Sequence, residues 1–320
     1  MKFLLSFYLC LAFLSPVFCQ LDEATELQID ALYNNFEAGN YERTIELANM
    51  LIKKKKDNPM AWLMKGKALF LLARDPEALE AFSISIGIKP DYWEAYFCRA
   101  MLYSTLEEYN SAIQDIQVAL KYEPKKVELL AARGNFFLQK GSYKNALKSY
   151  SLAIAADSTY AEAFTFRAAA SRELGAYKNA IQDATRAIQL DSSHPTSYET
   201  RAFSYLEEGE APKAIQDFHQ IIQIIQKDSS QFPPFLLTYA YNNLGFAHYK
   251  AGDHALALKN INYSLQRIAS NSYAYKNRAL VFFATHKKKA ACQDLLKAQQ
   301  LGYLEEYGEE VEELLKQHCP

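Results

Sequence analysis

Small apolar residues return along this chain at a fixed step. Ala78, Ala112, Ala146, Ala180 and Ala214 follow one another at 34 residues, and Arg99, Arg133, Arg167 and Arg201 keep the same interval. So do Tyr109, Tyr143 and Tyr177. A constant period in this range predicts one supersecondary unit stacked many times, each copy burying its apolar face on the next. With Thr25 as first position, units begin again at Pro59, Trp93, Val127, Ala161 and Pro195 without slippage. After an insertion of nine residues they resume at Thr238 and Ser272, which makes eight units over residues 25–303.

Each unit reads as two helices. Gly39, Gly141, Gly175, Gly209 and Gly252 share repeat position 15, where a left-handed residue ends the first helix and turns the chain. Position 8 is small (Gly66, Ala100, Gly134, Ala168, Ala202, Gly245, Ala279), and position 24 is mostly large (Phe82, Ile116, Tyr150, Phe218, Ile261). Small facing large predicts a closely packed hairpin. Pro90 and Pro124 close two units, where proline cannot continue a helix. The inserted stretch, residues 229–237 (SSQFPPFLL), reads as irregular, with Pro233–Pro234 stopping the preceding helix. Phe232 and Phe235 either tuck that loop down or present an apolar contact.

Trp62, Gly66, Ala78, Phe82 and Pro90 at these spacings resemble the tetratricopeptide repeat. The run RA…G.Y..AI.D at Arg167–Asp183 and the ending AACQDLLKAQQLGY, Ala290–Tyr303, are similar to exported bacterial members of that family. The resemblance covers roughly residues 25–303. It implies an all-α fold: a right-handed superhelical α-solenoid of helix–turn–helix units whose first helices line a concave groove. It also implies a non-enzymatic scaffold that binds a protein or an extended peptide. An alternative is a co-chaperone or assembly factor of the cell envelope or secretory lumen, acting on unfolded clients. Residues 304–320 are read as a C-terminal capping helix, acidic at Glu305, Glu309, Glu312 and Glu313, with Val311, Leu314 and Leu315 available to pack.

Charge adds a second periodic signal. Arg99, Arg167, Arg201 and Arg278 each precede an aspartate by sixteen residues: Asp115, Asp183, Asp217 and Asp294. These positions, 7 and 23, lie level across a hairpin that turns at position 15, so the spacing predicts ion pairs between helices. Arg133 faces Ser149 instead.

On the first helices, positions 2, 5, 6, 9 and 12 share one face. In units three to five that face carries Glu94, Glu128 and Glu162, an acidic row. In units seven and eight it carries Tyr239, Asn242, Asn243, Phe246 and Tyr249, then Tyr273, Lys276, Asn277, Leu280 and Phe283. Amides beside aromatics suit an extended peptide backbone, so these are the candidate groove residues. The competing reading makes the rings helix-packing residues. The set does not reproduce the lysine–asparagine clamp that some family members use for C-terminal carboxylates.

Composition narrows the classes further. A net charge of −2 leaves no electrostatic footprint for nucleic acid. No HExxH, phosphate-cradling glycine loop or nucleophile elbow occurs, so no catalytic site, metal or cofactor is expected. Lys2, the apolar run Phe3–Leu14, and Val17 and Cys19 at the −3 and −1 positions read as a signal peptide, residues 1–19, with residues 20–24 a short leader. An uncleaved anchor is the rival reading, against which the short run argues. The expected location is therefore periplasmic or secreted, with no stable membrane span after cleavage. The mature chain keeps Cys98, Cys292 and Cys319, which permits one bridge and one free thiol. A cap helix returning antiparallel brings Cys319 toward Cys292, although helical rise leaves an overshoot open.

Overall fold

The structure is a computed structural model and describes residues 23–304 and 308–319. The expected signal segment, residues 1–19, lies outside the described residues. So does Glu305 of the expected cap. Seventeen helices account for most of the described chain, and none of those residues is in a strand. They are α1 (Glu23–Glu37), α2 (Tyr41–Lys54), α3 (Pro59–Leu71), α4 (Asp75–Ile88), α5 (Trp93–Thr105), α6 (Tyr109–Tyr122), α7 (Val127–Gln139) and α8 (Tyr143–Ala156). There follow α9 (Ala161–Glu173), α10 (Tyr177–Leu190), α11 (Pro195–Glu207), α12 (Ala211–Lys227), α13 (Pro234–Lys250), α14 (His254–Arg267), α15 (Ser272–Ala284), α16 (Lys288–Gln300) and α17 (Glu310–His318). The chain divides into two compact units at Ala163/Phe164, and consecutive helices pack on one another within each.

The repeat frame maps directly onto helix ends. First helices stop at position 13 and second helices start at position 17, with a left-handed residue between. Glycine fills that site in five hairpins. Ala73, Glu107 and His286 take the same positive φ in the other three, so the turn geometry outlasts the glycine that favours it. Asn58, Asp253 and Asn271 cap their helices by accepting from the backbone N–H groups of Ala61, Leu256 and Ala274.

The insertion behaves differently from the irregular loop read in the sequence. Its last four residues, 234–237, are helical and the first five are not: α12 and α13 each run to 17 residues, and Asp228–Pro233 separates them. The diproline does not end α12, which stops earlier at Lys227; Pro234 opens α13. Proline suits that first position, where its missing N–H has no helical partner to lose. Phe232 packs on the core of its unit, while Phe235 is exposed and meets Tyr239 edge-on at 5.9 Å.

Inside the hairpins, position 8 faces position 24. A Cβ on Gly66 or Gly134 would come within 2.5 Å of the rings of Phe82 and Tyr150. Tyr150 is fully buried and donates its O–H to Asn135 Oδ1 at 2.6 Å; burial pushes its pKa well above the ordinary tyrosine value.

The arginine–aspartate spacing is realised as four bidentate pairs. In Arg99–Asp115, Arg167–Asp183, Arg201–Asp217 and Arg278–Asp294, Nε and one terminal nitrogen donate to the two carboxylate oxygens at 2.7–2.9 Å. Arg99, Arg201 and Arg278 also reach the second helix of the preceding repeat, donating to Ser83, Thr185 and Asn262. Each such guanidinium therefore joins three helices. Aromatic rings one turn away on its own helix flank it, as Tyr198 and Tyr205 do for Arg201. Arg133 donates to Ser149 Oγ at 3.1 Å and has no carboxylate partner among the described residues, and burial lowers its pKa.

Candidate groove of the last two repeats

The face chosen from the sequence divides into a buried seam and an open lining. Asn242 and Asn277 are 0 % exposed, Lys276 3 % and Asn243 8 %. These four therefore do not form the open recognition strip expected of them. The reason is geometric. A 34-residue step sets α13 beside α15, and positions 5 and 6 point into the seam between them. Tyr239, Phe246, Tyr249, Tyr273 and Phe283, at positions 2, 9 and 12, stay half-buried and line the face.

The seam is a chain of polar groups. Asn277 Nδ2 donates to Asn242 Oδ1 at 3.2 Å, Asn242 Nδ2 to Asn243 Oδ1 at 3.4 Å, and Asn243 Nδ2 to Glu199 Oε1 at 3.3 Å. Burial raises the Glu199 pKa, against the opposing pull of Arg172 and the Asn243 hydrogen bond. Arg172 itself pairs with Glu173 at 2.7 Å and lies over the Phe203 ring. Asn277 Oδ1 is buried without a donor among the described residues.

Lys276 continues the chain toward the C-terminus. Its ammonium lies 3.1 Å from Glu310 Oε2 on α17, 4.5 Å above the Tyr273 ring and 5.4 Å from the Phe246 ring. Burial lowers its pKa, and Glu310 works against that shift. Tyr303 donates its O–H to the same carboxylate at 2.9 Å and stacks on Tyr273. Phe246 and Tyr249 lie 6.1 Å apart, with Lys250 beside Phe246.

Sequence reading missed Glu310, although a signal existed. Lys276 and Glu310 are 34 residues apart, so α17 is the first helix of a ninth unit in phase and Glu310 holds its position 5. Cys292 and Cys319 are joined in a disulfide, with Cα atoms 5.7 Å apart, and Cys98 is a buried free thiol. In the other compact unit, Glu94 belongs to the acidic row. Burial raises its pKa while Lys67, Lys89 and Lys126 oppose the rise. Glu162 accepts from the Tyr160 O–H at 2.9 Å. Among the described residues no three His, Cys, Asp or Glu side chains gather as a metal site, and no helix is long and apolar enough to cross a membrane.

A family model described as Psidin, N-terminal TPR repeats region, matches residues 26–191, just over half of the chain. Among curated proteins no sequence matches. Solved structures do. A tetratricopeptide repeat protein from Parabacteroides merdae aligns with a TM-score of 0.65 at 18 % identity, over 82 % of this chain and 99 % of its own. The C-terminal part of a TPR repeat-containing protein from Cytophaga hutchinsonii gives 0.59 at 16 %, over 78 % and 98 %. PilF from Pseudomonas aeruginosa gives 0.56 at 16 %, over 68 % and 94 %. At these identities the likenesses speak to the fold alone.

Proposed function

The chain belongs to the tetratricopeptide-repeat proteins, through the family described as the N-terminal TPR repeats region of Psidin, and on that premise we propose that it is an exported, non-enzymatic scaffold. It holds an extended protein segment along α13 and α15. The observation that carries this reading is the half-buried set Phe246, Tyr249, Tyr273 and Phe283 standing over a buried polar seam. The seam holds the helices in register, so the rings are presented from rigid elements with little entropy left to lose on binding. Residues 1–19 and the Cys292–Cys319 bond both favour an oxidising destination.

The groove is tested with a partner obtained by affinity capture on the mature chain. Phe246→Ala and Tyr249→Ala are each expected to weaken that partner by roughly 30-fold, since anchors at a binding hot spot are worth about 2 kcal/mol or more. Both variants should stay folded, with a moderate loss of thermal stability because each ring also packs on the core of its repeat. Undiminished binding in both variants, with loss on altering Phe235, would place the contact at the exposed start of α13 instead. Export is tested separately. Exported material should begin at or near Gln20 by N-terminal sequencing, and a product that retains Phe3–Leu14 would show an anchor.

A further inference from the structure

The Cys292–Cys319 bond ties the fifth residue of α16 to the residue that follows α17. Both cysteines are half-buried, and they line an open cavity of about 600 Å³ with Lys288, Lys289, Leu296 and Leu315. The disulfide can therefore be reached from solvent.

Its two sulfurs have unlike surroundings. Lys288 and Lys289 lie four and three residues before Cys292, on the same side of α16 and one turn away. They stand in the first turn, where the backbone N–H groups of the helix also point. Both effects favour a thiolate at Cys292. Cys319 sits past the C-terminal end of α17, and the His318 carbonyl oxygen there lies 3.8 Å from Cys292 Sγ, where it partly opposes the two lysines. Lys316, the nearest cation along that helix, extends into solvent near Glu312. In thiol–disulfide exchange the sulfur that better carries negative charge leaves faster.

We propose that Cys292–Cys319 is an exchange site for small anionic thiols, attacked at Cys319, whose opening releases α17 from the last repeat. The incoming thiolate forms a bond to Cys319 Sγ as the bond between the two protein sulfurs breaks. The electron pair leaves on Cys292, which takes a proton from water. The products are a mixed disulfide on Cys319 and a thiol on Cys292, with no further oxidant or reductant. Lys288 and Lys289 attract the anionic group of the attacking molecule. What then holds α17 is the burial of Val311 beside Leu295 and Ala298 and the Lys276–Glu310 pair.

The test uses the oxidised full chain with glutathione as the anionic thiol and cysteamine as the cationic one, with rates expressed per thiolate. Quenching with iodoacetamide and peptide mapping should find glutathione on Cys319 and the alkyl group on Cys292. Replacing Lys288 and Lys289 together by alanine should slow glutathione about tenfold at low salt and cysteamine clearly less, since only the leaving-group share of the effect applies to a cationic thiol, with a smaller difference at high salt. Amide exchange over residues 310–318 should accelerate after reduction, and equally in a Cys319→Ser variant that never forms the bond. Glutathione on Cys292, or equal slowing of the two thiols, would overturn the exchange site. Unchanged exchange over 310–318 in both reduced and Cys319→Ser protein would overturn the release.

Discussion

Asp217→Ala is expected to destabilise the unit that begins at Phe164 by about 3 kcal/mol, a large cost for one side chain. The side chains of Asp217 and Arg201 are only 6 % and 17 % exposed. The carboxylate accepts two hydrogen bonds from Arg201. Burial alone would lower the Arg201 pKa, yet the hydrogen bonds and charge of Asp217 outweigh it and the net shift is upward. Without the carboxylate, the guanidinium remains between Tyr198 and Tyr205 with Thr185 as its polar contact. Arg133 already shows that condition, opposite Ser149 and with its pKa pulled down by burial. The converse substitution follows from the comparison. Ser149→Asp should add a fifth pair and stabilise its repeat by about 1 kcal/mol. Urea unfolding monitored by circular dichroism reads both changes. An Asp217→Ala loss within about 0.5 kcal/mol of zero would mean that water replaces the pair at no cost.

These pairs also mark how far the sequence can be read. Positions 7 and 23 are equidistant from a turn whose place the glycines give away, so the pairing within a hairpin is legible from spacing alone. The reach of Arg99, Arg201 and Arg278 to Ser83, Thr185 and Asn262 is not, because it depends on how the preceding repeat is rotated onto the next. The same gap explains the groove. Helical periodicity places Asn242, Phe246 and Tyr249 on one stripe, but a neighbouring helix covers part of that stripe, and only the packing tells which part. Asn242 and Asn277 became the seam, while Phe246 and Tyr249 stayed at its edge. Glu310 was overlooked for a different reason: the 34-residue phase was not carried past Tyr303, where the chain enters a half-repeat that keeps the frame.

Gly245→Val is expected to cost about 3 kcal/mol, at the upper end of what overpacking a core does. Position 8 accepts alanine in other repeats, as Ala100, Ala202 and Ala279 show, so small size by itself does not decide the outcome. The wall opposite does. A Cβ on Gly245 would lie 2.6 Å from Ile261 Cγ1, 3.0 Å from the backbone oxygen of Ala257 and 3.1 Å from the backbone nitrogen of Ile261. A side chain can turn away, whereas the backbone of α14 can yield only by shifting the helix. Gly66 provides the control, because the three atoms nearest to a Cβ there all belong to the ring of Phe82. Shortening the facing residue should therefore rescue Gly66→Ala, as Gly66→Ala with Phe82→Leu, and should not rescue Gly245→Val, as Gly245→Val with Ile261→Ala. Chemical unfolding measures the cost, and amide exchange across α13 and α14 locates it. Equal rescue at the two sites would show that α13 and α14 can separate freely, and that backbone approach does not set the spacing of this hairpin.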